Sequence, residues 1–215
     1  MEQKKAYELK EEIANSITHG IGATLAVAAL VILVVFASIQ GNPWKIVSFS
    51  IYGASLLTLY LASTFYHAFQ RPRLKRIFRI VDHASIYILI AGTYTPFTLV
   101  TIRGAWGWSI FGIIWGLAIF GIAFKTMFIH KFKIISTLIY ILMGWFIVIA
   151  MHEVVANLDI MGLIWLILGG VLYTGGVYFF ANDSIRFNHA IWHLFVLAGS
   201  ICHFFAILFH VLPKN

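Results

Sequence analysis

The sequence is poor in charge and nearly devoid of cysteine. Asp, Glu, Lys and Arg together make up 11% of its 215 residues, against about 25% in an average soluble protein. So few ionic groups cannot cover a water-facing surface. Almost every stretch is needed to cross a bilayer, so no separate soluble domain is expected. The one cysteine, Cys202, excludes an intramolecular disulfide and carries no information about redox compartment. No cleavable leader is expected either. The first 16 residues mix Glu2, Glu8, Glu11 and Glu12 with Lys4, Lys5 and Lys10, and the apolar run behind them is too long for a signal-peptide core. They read as a short amphipathic cytosolic segment, residues 1–16, ahead of a membrane domain spanning 17–212. No internal repeat of the transporter type stands out.

What the sequence does have is apolar length. Hydrophobic residues make up 61% of it, and the mean hydropathy is +0.91. A membrane span needs about 20 apolar residues, and seven such runs are present: 17–39, 44–69, 80–102, 106–128, 134–155, 161–180 and 189–212. Gly41-Asn42-Pro43 stops the first, and Gln70-Arg71-Pro72-Arg73 stops the second. Short loops imply sequential antiparallel helices. The expected fold is an all-α integral membrane protein, a seven-transmembrane-helix bundle, multi-pass in the cell membrane with membrane lipids as its surroundings. Pro96, inside the third run, predicts a kink there. Gly169-Gly170 and Gly175-Gly176 in the sixth predict close helix approach.

The net charge of +7 is not a nucleic-acid signal, because its residues are confined to loops. Twelve of the fifteen Lys and Arg residues fall on the side of the N-terminus. Only Lys45, Arg103 and Lys214 fall on the other. The positive-inside rule then places the N-terminus in the cytosol and the C-terminus outside. Trp44, Trp106 and Trp108 lie at the expected outer ends, as an interfacial aromatic belt would.

This topology gives the histidines a meaning. His189 and His193 are four apart, so they share a helical face about 6 Å apart along the axis. Imidazoles at the mouth of a membrane helix need partners. His67 closes the second span and Asp82 opens the third, so both lie at the same inner level as the pair. Three imidazoles and a carboxylate at one depth suit a divalent metal, and neutral nitrogen ligands with an open fourth position suit Zn²⁺. Asp82 would orient a water or take its proton. Ser63, one turn before His67, faces the same way and would bond that water, Asp82 or a developing oxyanion. His19 and His83 lie near the same level and stay open as rival ligands. His203 is about 15 Å deeper by helical rise, outside any shared site, and reads as a side chain bonded within the bundle, with a role in a proton or substrate path left open. His210 reads as interfacial. His130 and His152 have no assigned role.

The pattern Ser63-x-x-x-His67, Asp82 and His189-x-x-x-His193, with Asn15-Ser16-Ile17-Thr18-His19-Gly20-Ile21-Gly22 and Tyr94-Thr95-Pro96, resembles the progestin and adipoQ receptor superfamily. It is most similar to that superfamily's bacterial branch, the hemolysin III proteins. The likeness covers essentially the whole chain. It implies a zinc ion near the inner leaflet, with His67, His189 and His193 as metal ligands and Asp82 as the residue that holds a metal-bound water. The alkaline ceramidases share the arrangement and hydrolyse a lipid amide. By that resemblance the expected function is zinc-dependent hydrolysis of a lipid amide or ester, with Asp82 as base and Ser63 as helper. A non-catalytic, zinc-stabilised regulator of membrane lipid or energy homeostasis is the alternative. The family's name further implies haemolytic or cytolytic activity, though a seven-span bundle without a leader is not expected to diffuse as a toxin.

Overall fold

The computed structural model describes residues 2–127 and 133–213, with side chains from Tyr7 onward and, in the helix opening at Lys133, from Ile135. His130, Lys131 and Lys214, and the expected end of the fourth span at Phe128, lie outside the described residues. Eight α-helices follow one another with no strand among the described residues. They are α1 (Glu2–Ile39), α2 (Pro43–Ala68), α3 (Pro72–Pro96), α4 (Gly104–Met127), α5 (Lys133–Gly144), α6 (Met151–Asn157), α7 (Ile160–Ala181) and α8 (Asn188–Ala206). They make seven spans long and apolar enough to cross a bilayer, the fifth built from α5 and α6 together. α1 runs without a break from Glu2, so the mixed-charge lead-in forms its opening turns.

The loop chemistry explains the boundaries. Gly41 adopts φ +65°, a left-handed conformation that only glycine takes freely, and it ends α1. Asn42 then caps α2, its side chain accepting from the Trp44 and Lys45 amides, with Pro43 in the first turn. Asp159 caps α7 by accepting from the Gly162 amide at 2.9 Å. Trp44 and Trp108 are half-exposed and meet edge to face, with ring centroids 5.9 Å apart. That contact places two of the three belt tryptophans together.

Burial is uneven. In the most apolar window of each span, 83% of α3 and its extension is buried, against 17% of α7. α3 is therefore the central helix, and the elements around it turn apolar side chains outward. α1 packs on α2, α2 on α3, α7 on α8, and α8 closes back on α1. Gly169 of α7 makes the α7–α8 contact possible: a Cβ there would lie 2.3 Å from the His203 ring. Gly176 plays the same part against Phe195, whereas Gly170 and Gly175 have ordinary room. The Ser200 hydroxyl ties three helices, 2.7 Å from both the Tyr60 and Tyr173 hydroxyls.

Two spans depart from regular helix. Beyond Pro96 the third span widens into a π-helical stretch, Phe97–Ile102, with the Thr98 hydroxyl donating back to the Tyr94 carbonyl at 3.0 Å. The fifth span tightens into a 3₁₀ stretch, Trp145–Ala150, between α5 and α6. The cause is Tyr94 of α3. Its hydroxyl donates to the Met143 carbonyl and accepts from the Ile147 amide, each at 2.8 Å. A side chain inserted into a backbone ladder breaks the helical register there.

Candidate metal centre

The end of α2 and the start of α8 meet beside α1. His67, on the last turn of α2, and His193, one turn into α8, are both buried, and His189 at the start of α8 is half-buried. Each offers one ligand nitrogen, and the three nitrogens lie within 4.8 Å of one another. The ring centroids are 5.1 Å apart for His67–His189, 5.2 Å for His67–His193 and 4.6 Å for His189–His193. The three sequence-predicted ligands are therefore brought together. Among the described residues they are the one such group.

Hydrogen bonding tests whether the cluster fits a metal. The Nε2 atoms of His67, His189 and His193 are all buried without a hydrogen-bond partner among the described residues. Buried polar atoms are ordinarily partnered, so three that are not, on converging rings, fit a ligand-binding set. The far nitrogens of two rings are held. His67 Nδ1 donates to the Glu12 carboxylate at 2.8 Å, and that carboxylate also pairs with Lys75 at 2.7 Å. His193 Nδ1 donates to the Asn15 carbonyl at 3.3 Å. Occupying Nδ1 as a donor leaves the lone pair on Nε2, the tautomer a metal needs, and a carboxylate partner makes the ligand more basic. Three imidazoles of this kind suit Zn²⁺. Glu12 and Asn15 thus orient the site from α1. In the sequence Asn15 stands within the Asn15–Gly22 motif and Glu12 among the mixed charges of the first 16 residues. Their spacing ahead of His19 on one helix was the available signal.

The rival histidines separate from the cluster. His19 is buried and stacks flat on His193, with centroids 3.5 Å apart and planes 13° apart. Neither of its nitrogens has a partner among the described residues, but it is not in the ligand group. His83 Nδ1 faces the Asp82 carboxylate at 3.3 Å. His203 Nε2 donates to the Leu166 carbonyl at 3.1 Å, which makes it a side chain bonded between α8 and α7. His210 pairs with Asp159 at 2.8 Å. His152 is fully exposed beside Glu153.

The third span begins at Pro72, earlier than its apolar run, so Asp82 does not open it but is buried nearly three turns into the central helix, where it lines an elongated cavity of about 430 Å³ together with His19 and His189. The cavity continues past Leu89 and Trp145 to His203 at its far end. His189 and His203 are fourteen positions apart on one span, about 20 Å by helical rise. The walls are mostly aliphatic and aromatic, as a site for an apolar ligand requires. Ser63 is fully buried one turn from His67, and its hydroxyl has no partner among the described residues. It lines neither this cavity nor the smaller one beside His67.

Residues 7–204 match the model of the family described as "Haemolysin-III related". Among similar proteins, "Hemolysin-3" of Bacillus cereus is 52% identical over 205 residues, covering 95% of this chain and 94% of the relative. "Hemolysin-3 homolog" of Bacillus subtilis (strain 168) is 48% identical over 204 residues, 95% of this chain and 96% of the relative. "Monocyte to macrophage differentiation factor" of Homo sapiens is 32% identical over 206 residues, 92% and 83% of the two chains.

Proposed function

The chain belongs to the haemolysin-III-related family and is a multi-pass membrane protein, and from this premise we propose that it binds Zn²⁺ through His67, His189 and His193 and hydrolyses a lipid amide or ester at the inner leaflet. The observation that carries this reading is the sharing of residues: His189, a member of the histidine cluster, and Asp82 line one apolar cavity. When bound, Zn²⁺ supplies a Lewis acid that polarises a carbonyl and eases deprotonation of a water.

The chain's own residues do the rest. The cavity takes the acyl chain and holds the carbonyl at the histidine end. Asp82 accepts the proton of the attacking water as its oxygen bonds to the carbonyl carbon. The Ser63 hydroxyl, buried one turn before His67 and lining neither cavity, does not reach the carbonyl in this arrangement. The carbon–nitrogen or carbon–oxygen bond then breaks, and Asp82 returns its proton to the departing amine or alcohol. Purified protein carrying one zinc should release fatty acid from a panel of amide and ester lipids. Asp82→Asn should keep the zinc and stop the release. A zinc-replete protein that turns over no lipid sinks the catalytic reading.

One observation favours a second reading, a zinc clasp without catalysis. His67 and His193 are both anchored to α1, through Glu12 and Asn15, so a bound ion would lock α1, α2 and α8 together. A regulator of this kind would keep its cellular effect in Asp82→Asn and lose it in His193→Ala. The name hemolysin borne by the relatives adds a check on lysis, the release of dye from liposomes by purified protein.

A further inference from the structure

Beside the histidine cluster lies a second cavity of about 260 Å³, on the side of the chain's N-terminus. Its wall carries four carboxylates, Glu8, Glu11 and Glu12 of α1 and Asp183 from the loop before α8, and no lysine or arginine. His67 and His189 of the cluster also line it, beside Asn15, Tyr66, Phe180 and Asn188. This is unexpected on the side of the N-terminus, to which the order of the spans assigns twelve of the fifteen basic residues. Lys75 is drawn to Glu12, and Arg186 lies over the Tyr7 ring at 5.6 Å. Among the described residues Glu8, Glu11 and Asp183 form no salt bridge. Asp183 does accept a long bond from Asn188 at 3.4 Å.

An acidic cluster alone is usually a solvated face. Here an independent feature joins it. His67 is 4% exposed, and its Nε2 has no partner among the described residues, yet the ring forms part of this wall. We propose that the pocket of Glu8, Glu11, Glu12 and Asp183 is the loading mouth through which a divalent cation reaches His67, His189 and His193. The inference rests on the metal reading above but not on hydrolysis. Carboxylates collect the hydrated cation and lower the barrier to its approach, because a concave patch of one sign raises the local concentration of the opposite charge and the rate of association. Glu12 sits at the junction, since it lines the pocket and also holds His67. Hard oxygen ligands bind Zn²⁺ loosely beside a set of imidazoles, so the mouth passes the ion inward rather than keeping it.

The test is the rate at which metal-stripped full-length protein takes up Zn²⁺, followed by stopped flow against a chromophoric chelator. Equilibrium stoichiometry is measured first. Glu8→Gln/Glu11→Gln/Asp183→Asn should still bind one zinc per chain, with association slowed about tenfold or more and dissociation unchanged. Added salt should slow the wild type steeply and the triple variant little. Glu8→Asp/Glu11→Asp/Asp183→Glu, which keeps the charge, should load at close to the wild-type rate. Equal association rates for the wild type and the neutral variant overturn the proposal. A charge-keeping variant as slow as the neutral one does so too. Failure of the wild type to bind zinc at equilibrium instead removes the metal reading, and the loading mouth with it.

Discussion

The two ends of the bundle solve the same problem differently. At the end where α1 leaves the membrane and α8 finishes, buried charge is paired within the protein. Lys45 is 1% exposed, and its ammonium donates to the Gln40 side chain and, at 2.8 Å, to the Leu212 carbonyl near the end of the chain. Asp159 caps α7 and holds His210. The hydroxyls of Ser48 and Thr101 lack partners there, but they belong to no cluster of metal-ligating groups. At the opposite end three imidazoles converge with their Nε2 atoms unpartnered, and Ser63 and His19 beside them are unpartnered as well. An unpaired buried polar group costs about 1–3 kcal/mol. The first end uses its polar groups to hold helices together. The second keeps its polar groups uncommitted, which is the pattern of a site built for a ligand.

Chelation should break the comparison most strongly. Zinc at a thousand times its Kd adds about 4 kcal/mol to the stability of the form that binds it. Stripping the metal should lower the thermal midpoint by the corresponding amount, and His67→Ala protein should not respond to zinc or chelator. Glu12→Gln comes next. Loss of a carboxylate behind a ligating histidine typically weakens metal affinity 10–100-fold, about 1.4–2.7 kcal/mol, as competition titration would read. Lys45→Met sharpens the contrast from the other side. It leaves the Leu212 carbonyl unpaired and should cost about 1–3 kcal/mol of stability while zinc stoichiometry and affinity stay unchanged.

The smallest effect is expected at Asp159. The Gly162 amide, and then His210, hold its carboxyl below the usual carboxylate range. A lowered folded value means the contribution is present above the unfolded value of about 4 and is lost as pH falls through the folded one. Asp159→Ala should cost about 1 kcal/mol as a lost helix cap. That deficit should fade in unfolding curves taken below pH 4.

Much of this was legible in the sequence, because a bilayer imposes a length rule on every span. The seven apolar runs match the seven spans, and counting depth along antiparallel helices brought His67 and Asp82 to the level of His189 and His193. The break in the fifth span was not legible, since the Tyr94 hydroxyl that causes it comes from another helix about fifty positions away. The separation of His19 from the ligand set was not legible either: depth alone equates it with His193, and only ring orientation shows that it stacks. Glu12 hid among mixed charges that read as a short amphipathic cytosolic segment. Only the continuation of α1 as helix from Glu2 turns it toward His67.

The central claim is that the uncommitted histidines hold a metal. Metal analysis of purified wild-type protein beside a His189→Ala/His193→Ala variant tests it most directly. The account predicts one zinc per chain in the wild type and none in the variant, with both proteins helical and monodisperse. A wild type without metal, or equal zinc in the two, would contradict it.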